Sequence, residues 1–117
     1  MEDSLLNNNY AKILDIVGME LKNKKQVKKN REEIKKLLFD MNNKEINDID
    51  EYFNNGFGIV WNNLPEEIFD VSDIDKLNLR VYQFVKYIFG MEKEFKDHGF
   101  SLIVAFYLKV TDKFLSE

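Results

Sequence analysis

The sequence has no cysteine. That absence removes disulfides, thiolate metal sites and a cysteine nucleophile. Its single histidine, His98, rules out a His-rich metal site. The G-x-S-x-G, H-E-x-x-H and phosphate-cradling glycine patterns are all missing, and Gly56-Phe57-Gly58 is a G-x-G with no third glycine. No catalytic constellation can be assembled, so the expected protein is not an enzyme, and neither a metal nor a cofactor is expected. Long apolar runs are missing too. The longest, Leu102 to Leu108, is far short of the roughly 20 residues a membrane span needs. The first ten residues, MEDSLLNNNY, are acidic where a signal peptide is basic. A cytoplasmic protein without a membrane partner is the expectation.

What is present suits a folded domain. Of 117 residues, 44% are hydrophobic and 32% charged, enough for one core and a charged surface but not for two cores. Ten Phe, five Tyr and one Trp supply much of the burial, since each aromatic removes about 150–250 Å² from water. Lysine outnumbers arginine 15 to 2, and there are 13 Asn but 2 Ala. This usage follows AT-rich codons and points to a low-GC bacterium or its phage. It also weakens any functional argument from the abundance of Lys or Asn.

One proline in the whole chain leaves few forced breaks, so helices are the natural reading. Leu6, Tyr10, Ile13, Leu14, Val17 and Leu21 form a helical stripe in Ser4 to Lys22, with Ser4 as N-cap. Gly18 falls inside that segment and would mark close approach of a neighbouring helix. Val27, Ile34, Leu37, Leu38 and Met41 form a second stripe from Lys25 to Met41. The two segments are either separate, ending the first at Asn23, or one long bent helix. From Lys44 to Pro65 the pattern reads as two short helices kinked at Gly56 to Gly58, with a strand at Phe57 to Trp61 as the competing reading. Residues 65 to 72 form a connector with one turn of helix.

Ser72 and Asp75 resemble a weakened capping box. The helix from Asp73 to Asp97 then carries Ile74, Leu77, Val81, Phe84, Val85, Ile88, Met91 and Phe95 on one stripe. It ends at His98-Gly99. The last segment, Phe100 to Leu115, is apolar on all sides at Leu102 to Leu108. Burial on both faces follows, as a central helix or a buried strand. The whole chain is read as one all-α domain, residues 1–117, in a single compact bundle of four to six helices.

Charge is segregated along the chain. Residues 22 to 36 carry a net +6 and residues 40 to 75 a net −9, within a total of −4. The bland reading is a pair of solvated helix faces. The functional reading of the acidic block is a surface for a protein partner with a basic site. Its residues are Asp48, Asp50, Glu51, Glu66, Glu67 and Asp70, with Tyr52 and Trp61 as aromatic anchors. The expected function is a small acidic inhibitor, of the toxin-immunity or phage anti-defence type. Carboxylates near Asp70 also suit a divalent cation, but capping and solvation explain them more simply.

The alternative is a helical subunit of a nucleic-acid-bound assembly, with Lys24, Lys25, Lys28 and Lys29 on phosphates. Nucleic acid is the less favoured partner. The block has one Arg, no aromatic interleaves with the lysines, and the chain is acidic overall. Self-association into a homo-oligomer is a further option.

Overall fold

The computed structural model describes residues 2–40, 64–91 and 99–116, with side chains from residue 9 onward. Among these residues the elements run α1 (Glu2–Val17), α2 (Lys24–Asp40), a 3-10 turn (Glu66–Phe69), α3 (Ile74–Gly90) and α4 (Gly99–Ser116). No strand occurs among them, and the all-α expectation holds there. Leu102 to Leu108 is helix. The readings over Lys44 to Asn63, including the Phe57 to Trp61 strand, lie outside the described residues. So do Phe95, Asp97 and His98.

Helix ends differ from the sequence expectation in several places. α1 begins at Glu2, so Ser4 sits inside it and is not its N-cap. α1 stops at Val17, and Gly18 lies in the following turn with its N–H on the Leu14 carbonyl at 3.0 Å. Among the described residues, a Cβ at Gly18 would meet only Leu14 and Asp15 of the same chain segment, so no described helix presses on it. Close approach is found instead at Gly99. A Cβ there would lie 3.1 Å from the Ile88 side chain, so the missing side chain lets the start of α4 reach the end of α3.

The first two helices are separate. Asn23 starts α2 and does not end α1. Its Oδ1 accepts from the Gln26 N–H at 2.8 Å, and Gln26 Oε1 accepts from the Lys22 N–H at 2.9 Å. Asn23 thus satisfies one of the donors that every helix start leaves open, and the Gln26 side chain ties back to the residue ahead of the cap. At α3 the N-cap is Asp73, whose carboxylate accepts from the Lys76 N–H at 2.8 Å. Ser72 therefore does not hold the capping position, and Asp75 falls in the first turn. α3 ends at Gly90, short of the expected Asp97, and Gly99 opens α4 where it was expected to close the preceding helix. A helix ending at glycine fits the roughly 1 kcal/mol that glycine costs in a helix interior.

The core is organised around α4. All seven residues of Leu102 to Leu108 are buried, so neighbours must cover α4 on every side. Phe106 stacks on Phe84 of α3 with centroids 4.0 Å apart, and it also meets Phe69 of the 3-10 turn at 5.9 Å. Phe100 meets Tyr10 of α1 edge to face at 4.5 Å. Val27, Ile34 and Leu38 of α2 and Ile13, Ile16 and Val17 of α1 join the same cluster.

Polar side chains lock the arrangement. The Asn78 side chain of α3 donates to the Leu21 carbonyl and accepts from the Leu21 N–H, both at 2.8 Å. It thereby ties the α1–α2 connection to α3. Between α2 and α4, buried Asn30 donates to the Tyr107 hydroxyl at 3.2 Å. Half-buried Arg31 donates to the Leu108 carbonyl and to Thr111 Oγ1.

Phe106 touches two elements at once, so its removal tests this plan. Phe106→Ala should cost about 3–5 kcal/mol, the range for a buried aromatic. Phe39→Ala, at an exposed site, should stay within about 0.5 kcal/mol. Urea unfolding followed by circular dichroism measures both. Equal midpoints for the two variants would contradict the central position of α4.

Candidate functional site

Two charged surfaces can be built from the described residues. The first lies around the 3-10 turn. Glu66, Glu67, Asp70, Asp73 and Asp75 are all exposed. The backbone at the end of the 3-10 turn is held by cations of the neighbouring helices. Lys113 of α4 donates to the Phe69 carbonyl at 2.9 Å, and Arg80 of α3 donates to the Asp70 carbonyl at 3.3 Å. Below, Ile68, Phe69 and buried Val71 pack on the core. The acidic segment is therefore anchored on both sides. A docking element that is already ordered loses less entropy on binding than a free loop does.

Asp70 is the one carboxylate of this rim with an ion pair among the described residues. Lys76 Nζ lies 3.3 Å from Asp70 Oδ2 and 3.3 Å from Ser72 Oγ. The hydrogen bond from Lys76 holds the Asp70 carboxyl below its ordinary range. Part of the expected partner surface is thus already engaged within the chain. Of the expected partner-binding residues, the structure places Glu66, Glu67 and Asp70 on one short segment. Asp48, Asp50, Glu51, Tyr52 and Trp61 lie outside the described residues.

The second surface is the outer face of α2. Val27, Asn30, Ile34 and Leu38 point inward. Lys24, Lys25, Lys28, Lys29, Lys35 and Lys36 are exposed, with Glu32 and Glu33 among them. None of these lysines makes an ion pair among the described residues. Lys24 Nζ lies 6.0 Å over the Phe114 ring, the outer limit of a cation–π contact.

Arg31 does not share the exposure of the lysines. Burial lowers its pKa from the ordinary value, opposed by the charge of Asp112 at 3.8 Å. It belongs to the fold, so the basic block offers one charge fewer to a partner than its linear count. Tyr107 is buried as well. Desolvation raises its pKa, and the Asn30 hydrogen bond acts in the opposite sense.

Asn30, Arg31, Asn78 and Tyr107 did not stand out from sequence. Phe39 is a further residue without a sequence signal. It follows Lys36 by three positions on the exposed face, with 76% of its surface accessible. Among the described residues, no three His, Asp or Glu side chains converge to hold a metal ion, and no helix is long and apolar enough to cross a membrane. A cavity of about 250 Å³ lies between the turn after α1 and α3, lined by Val17, Met19, Leu21, Val81, Tyr82 and Val85. Comparison with protein-family models, curated proteins and solved structures finds no match for this chain.

The Asp70–Lys76 bond has a measurable consequence. A carboxyl whose folded pKa is depressed adds stability above its unfolded pKa and loses it as pH falls through the folded value. Carbon-detected NMR titration should place the Asp70 pKa below the ordinary value of about 3.9. In Lys76→Met it should return toward that value. An Asp70 titration unmoved by the substitution would show that the bond does not form in solution.

Proposed function

We propose that this chain is a non-enzymatic protein-binding module whose acidic surface occludes a basic site on a partner protein. The carrying observation is the anchored acidic segment. Glu66 and Glu67 face solvent from a segment whose Phe69 and Asp70 carbonyls are held by Lys113 and Arg80, and Asp73 and Asp75 face solvent from the start of α3. Negative charge on an ordered scaffold steers a basic partner during encounter and fixes its orientation. Asp48, Asp50 and Glu51 belong to the proposed partner-binding set on their charge, with Tyr52 and Trp61 as aromatic anchors. The partner class is a protein with a cationic cleft, such as a nuclease toxin or a nucleic-acid-handling defence enzyme. The acidic side chains would occupy the cleft in place of phosphates. Cytoplasmic action follows from such a partner.

A second reading rests on α2. Six exposed lysines without ion pairs among the described residues, followed by exposed Phe39, offer phosphate contacts and one stacking surface. It would make the chain a subunit of a nucleic-acid-bound assembly.

Both readings meet in one pair of measurements. A tagged chain should capture a basic protein from its native host at low salt. The variant carrying Asp48→Asn, Asp50→Asn, Glu51→Gln, Glu66→Gln and Glu67→Gln should associate with that protein at least about tenfold more slowly, with a flatter salt dependence. Unchanged association kinetics would remove the acidic surface from the model. On heparin, retention at low salt that is lost in Lys24→Gln, Lys25→Gln, Lys28→Gln, Lys29→Gln would favour the second reading. Passage of the unmodified chain without retention would sink it.

A further inference from the structure

We propose that the outer face of α3 is a self-association surface on which two copies of this chain pair as antiparallel helices. The inference rests on side chains that the acidic-surface reading leaves almost unused. Opposite its buried stripe of Leu77, Val81, Phe84 and Ile88, α3 exposes Asp75, Leu79, Tyr82, Lys86 and Phe89. Their spacing is four, three, four, three, the repeat of a helix seam that faces another helix. The apolar members are far from covered: Leu79 is 46% accessible, Tyr82 59% and Phe89 61%. An amphipathic helix normally turns charge to solvent on this side. Here three of the five seam positions are apolar.

The charges on the seam choose the occupant. Asp75 sits at one end, and Lys86 lies eleven positions on, about 16 Å along the axis. In an antiparallel pair the layers become self-complementary. Asp75 meets Lys86 of the second copy and Leu79 meets Tyr82, while Phe89 lies past these layers, opposite Ser72 just ahead of the second copy's α3. The two-fold axis repeats both layers. Each Lys86 already lies over its own Tyr82, with Nζ 5.4 Å from the ring centroid. The contact holds the ammonium on the seam itself, and pairing with the opposite Asp75 moves it from the face of Tyr82 to the carboxylate.

The apolar cavity beside Tyr82 lies along the edge of this seam. At about 250 Å³ it falls below the roughly 300–1,000 Å³ of ordinary small-molecule sites. Its one polar side chain from α3, Asn78, already holds both backbone groups of Leu21. Such a recess suits an apolar side chain of the second copy better than a polar ligand.

The seam is small. About 20 Å of overlapping helix roughly 10 Å wide covers some 200 Å² per copy, against about 800 Å² per partner in a standard interface. The dimer is therefore weak, with a dissociation constant of about 0.1–1 mM.

Sedimentation velocity from about 20 µM to about 2 mM tests this directly. The mean mass should rise toward two chains over that range. Asp75→Lys or Lys86→Glu alone turns both cross-pairs repulsive and should weaken dimerisation about tenfold. The double variant Asp75→Lys, Lys86→Glu restores opposite charges and should recover it. Circular dichroism on each variant confirms that the helices are intact. A single-chain mass at the highest concentration would overturn the proposal and leave the face to another partner. Dimers indifferent to both single substitutions would overturn it by placing the contact elsewhere. Failure of the double variant to recover would overturn the antiparallel charge pairing.

Discussion

A helix apolar around its full circumference cannot be stable unless every side of it is covered, and α4 imposes that condition on the rest of the chain. Leu102, Ile103, Val104, Ala105, Phe106, Tyr107 and Leu108 are consecutive and buried, so no face of these roughly two turns is left for water. At about 25 cal/mol per Å² of apolar surface, one exposed face would cost several kcal/mol, a large share of the usual margin of stability. α1, α2, α3 and the 3-10 turn each supply part of the cover. This explains why the 3-10 turn, four residues long and too short to be stable alone, holds a defined place. Phe69 reaches Phe106 from it, and Lys113 of α4 fastens its carbonyl from outside.

Central burial also forces polar side chains into the interfaces, where each needs a partner. Tyr107 brings a hydroxyl into the core, and Asn30 answers it from α2. Thr111 returns its hydroxyl to the Tyr107 carbonyl at 2.6 Å and accepts from Arg31. These contacts are directional in a way that apolar packing is not. They fix the register of α2 against α4, as Asn78 fixes the α1–α2 connection against α3. Breaking one would leave a buried donor or acceptor unpaired, at about 1–3 kcal/mol.

The apolar stripes were legible because periodicity and burial are the same fact seen twice. Ile13, Val17, Val27, Ile34, Leu77, Val81, Phe84 and Phe106 all fall where their spacing places them. Ends were harder to read, because Asn and Gly serve both starts and stops. Asn23 was open to reading as a stop until Gln26 three residues on is taken with it. Gly99 stands at the start of a helix, where a Cβ would crowd the Ile88 side chain at 3.1 Å, a contact no local pattern records. Arg31 lay hidden within a lysine run, and Asn30 and Asn78 within a chain rich in Asn. Their roles depend on residues 57 to 80 positions away. Of the candidate site, the exposure of Glu66, Glu67 and Asp70 agreed with the sequence. The engagement of Asp70 by Lys76 did not show, because charge counted by blocks ignores which side chains meet.

That last point changes how the acidic surface must work if it binds a partner. The linear count of −9 for residues 40 to 75 overstates the field around the 3-10 turn, because Lys76, Arg80 and Lys113 come from outside the block and lie against it. Such cations shorten the reach of the negative potential and reduce long-range steering. They also hold the backbone that carries Glu66 and Glu67. Steering and order are therefore traded against each other at this rim. A cluster of free carboxylates would attract a basic partner from further away, yet each would lose mobility on contact. The anchored rim attracts less and arrives ordered. Affinity at such a surface depends on short-range pairing more than on net charge. The cost of neutralising one carboxylate then rises with how closely its position is fixed, which sets Glu66 and Glu67, on the fastened segment, apart from charges spread along an open helix face.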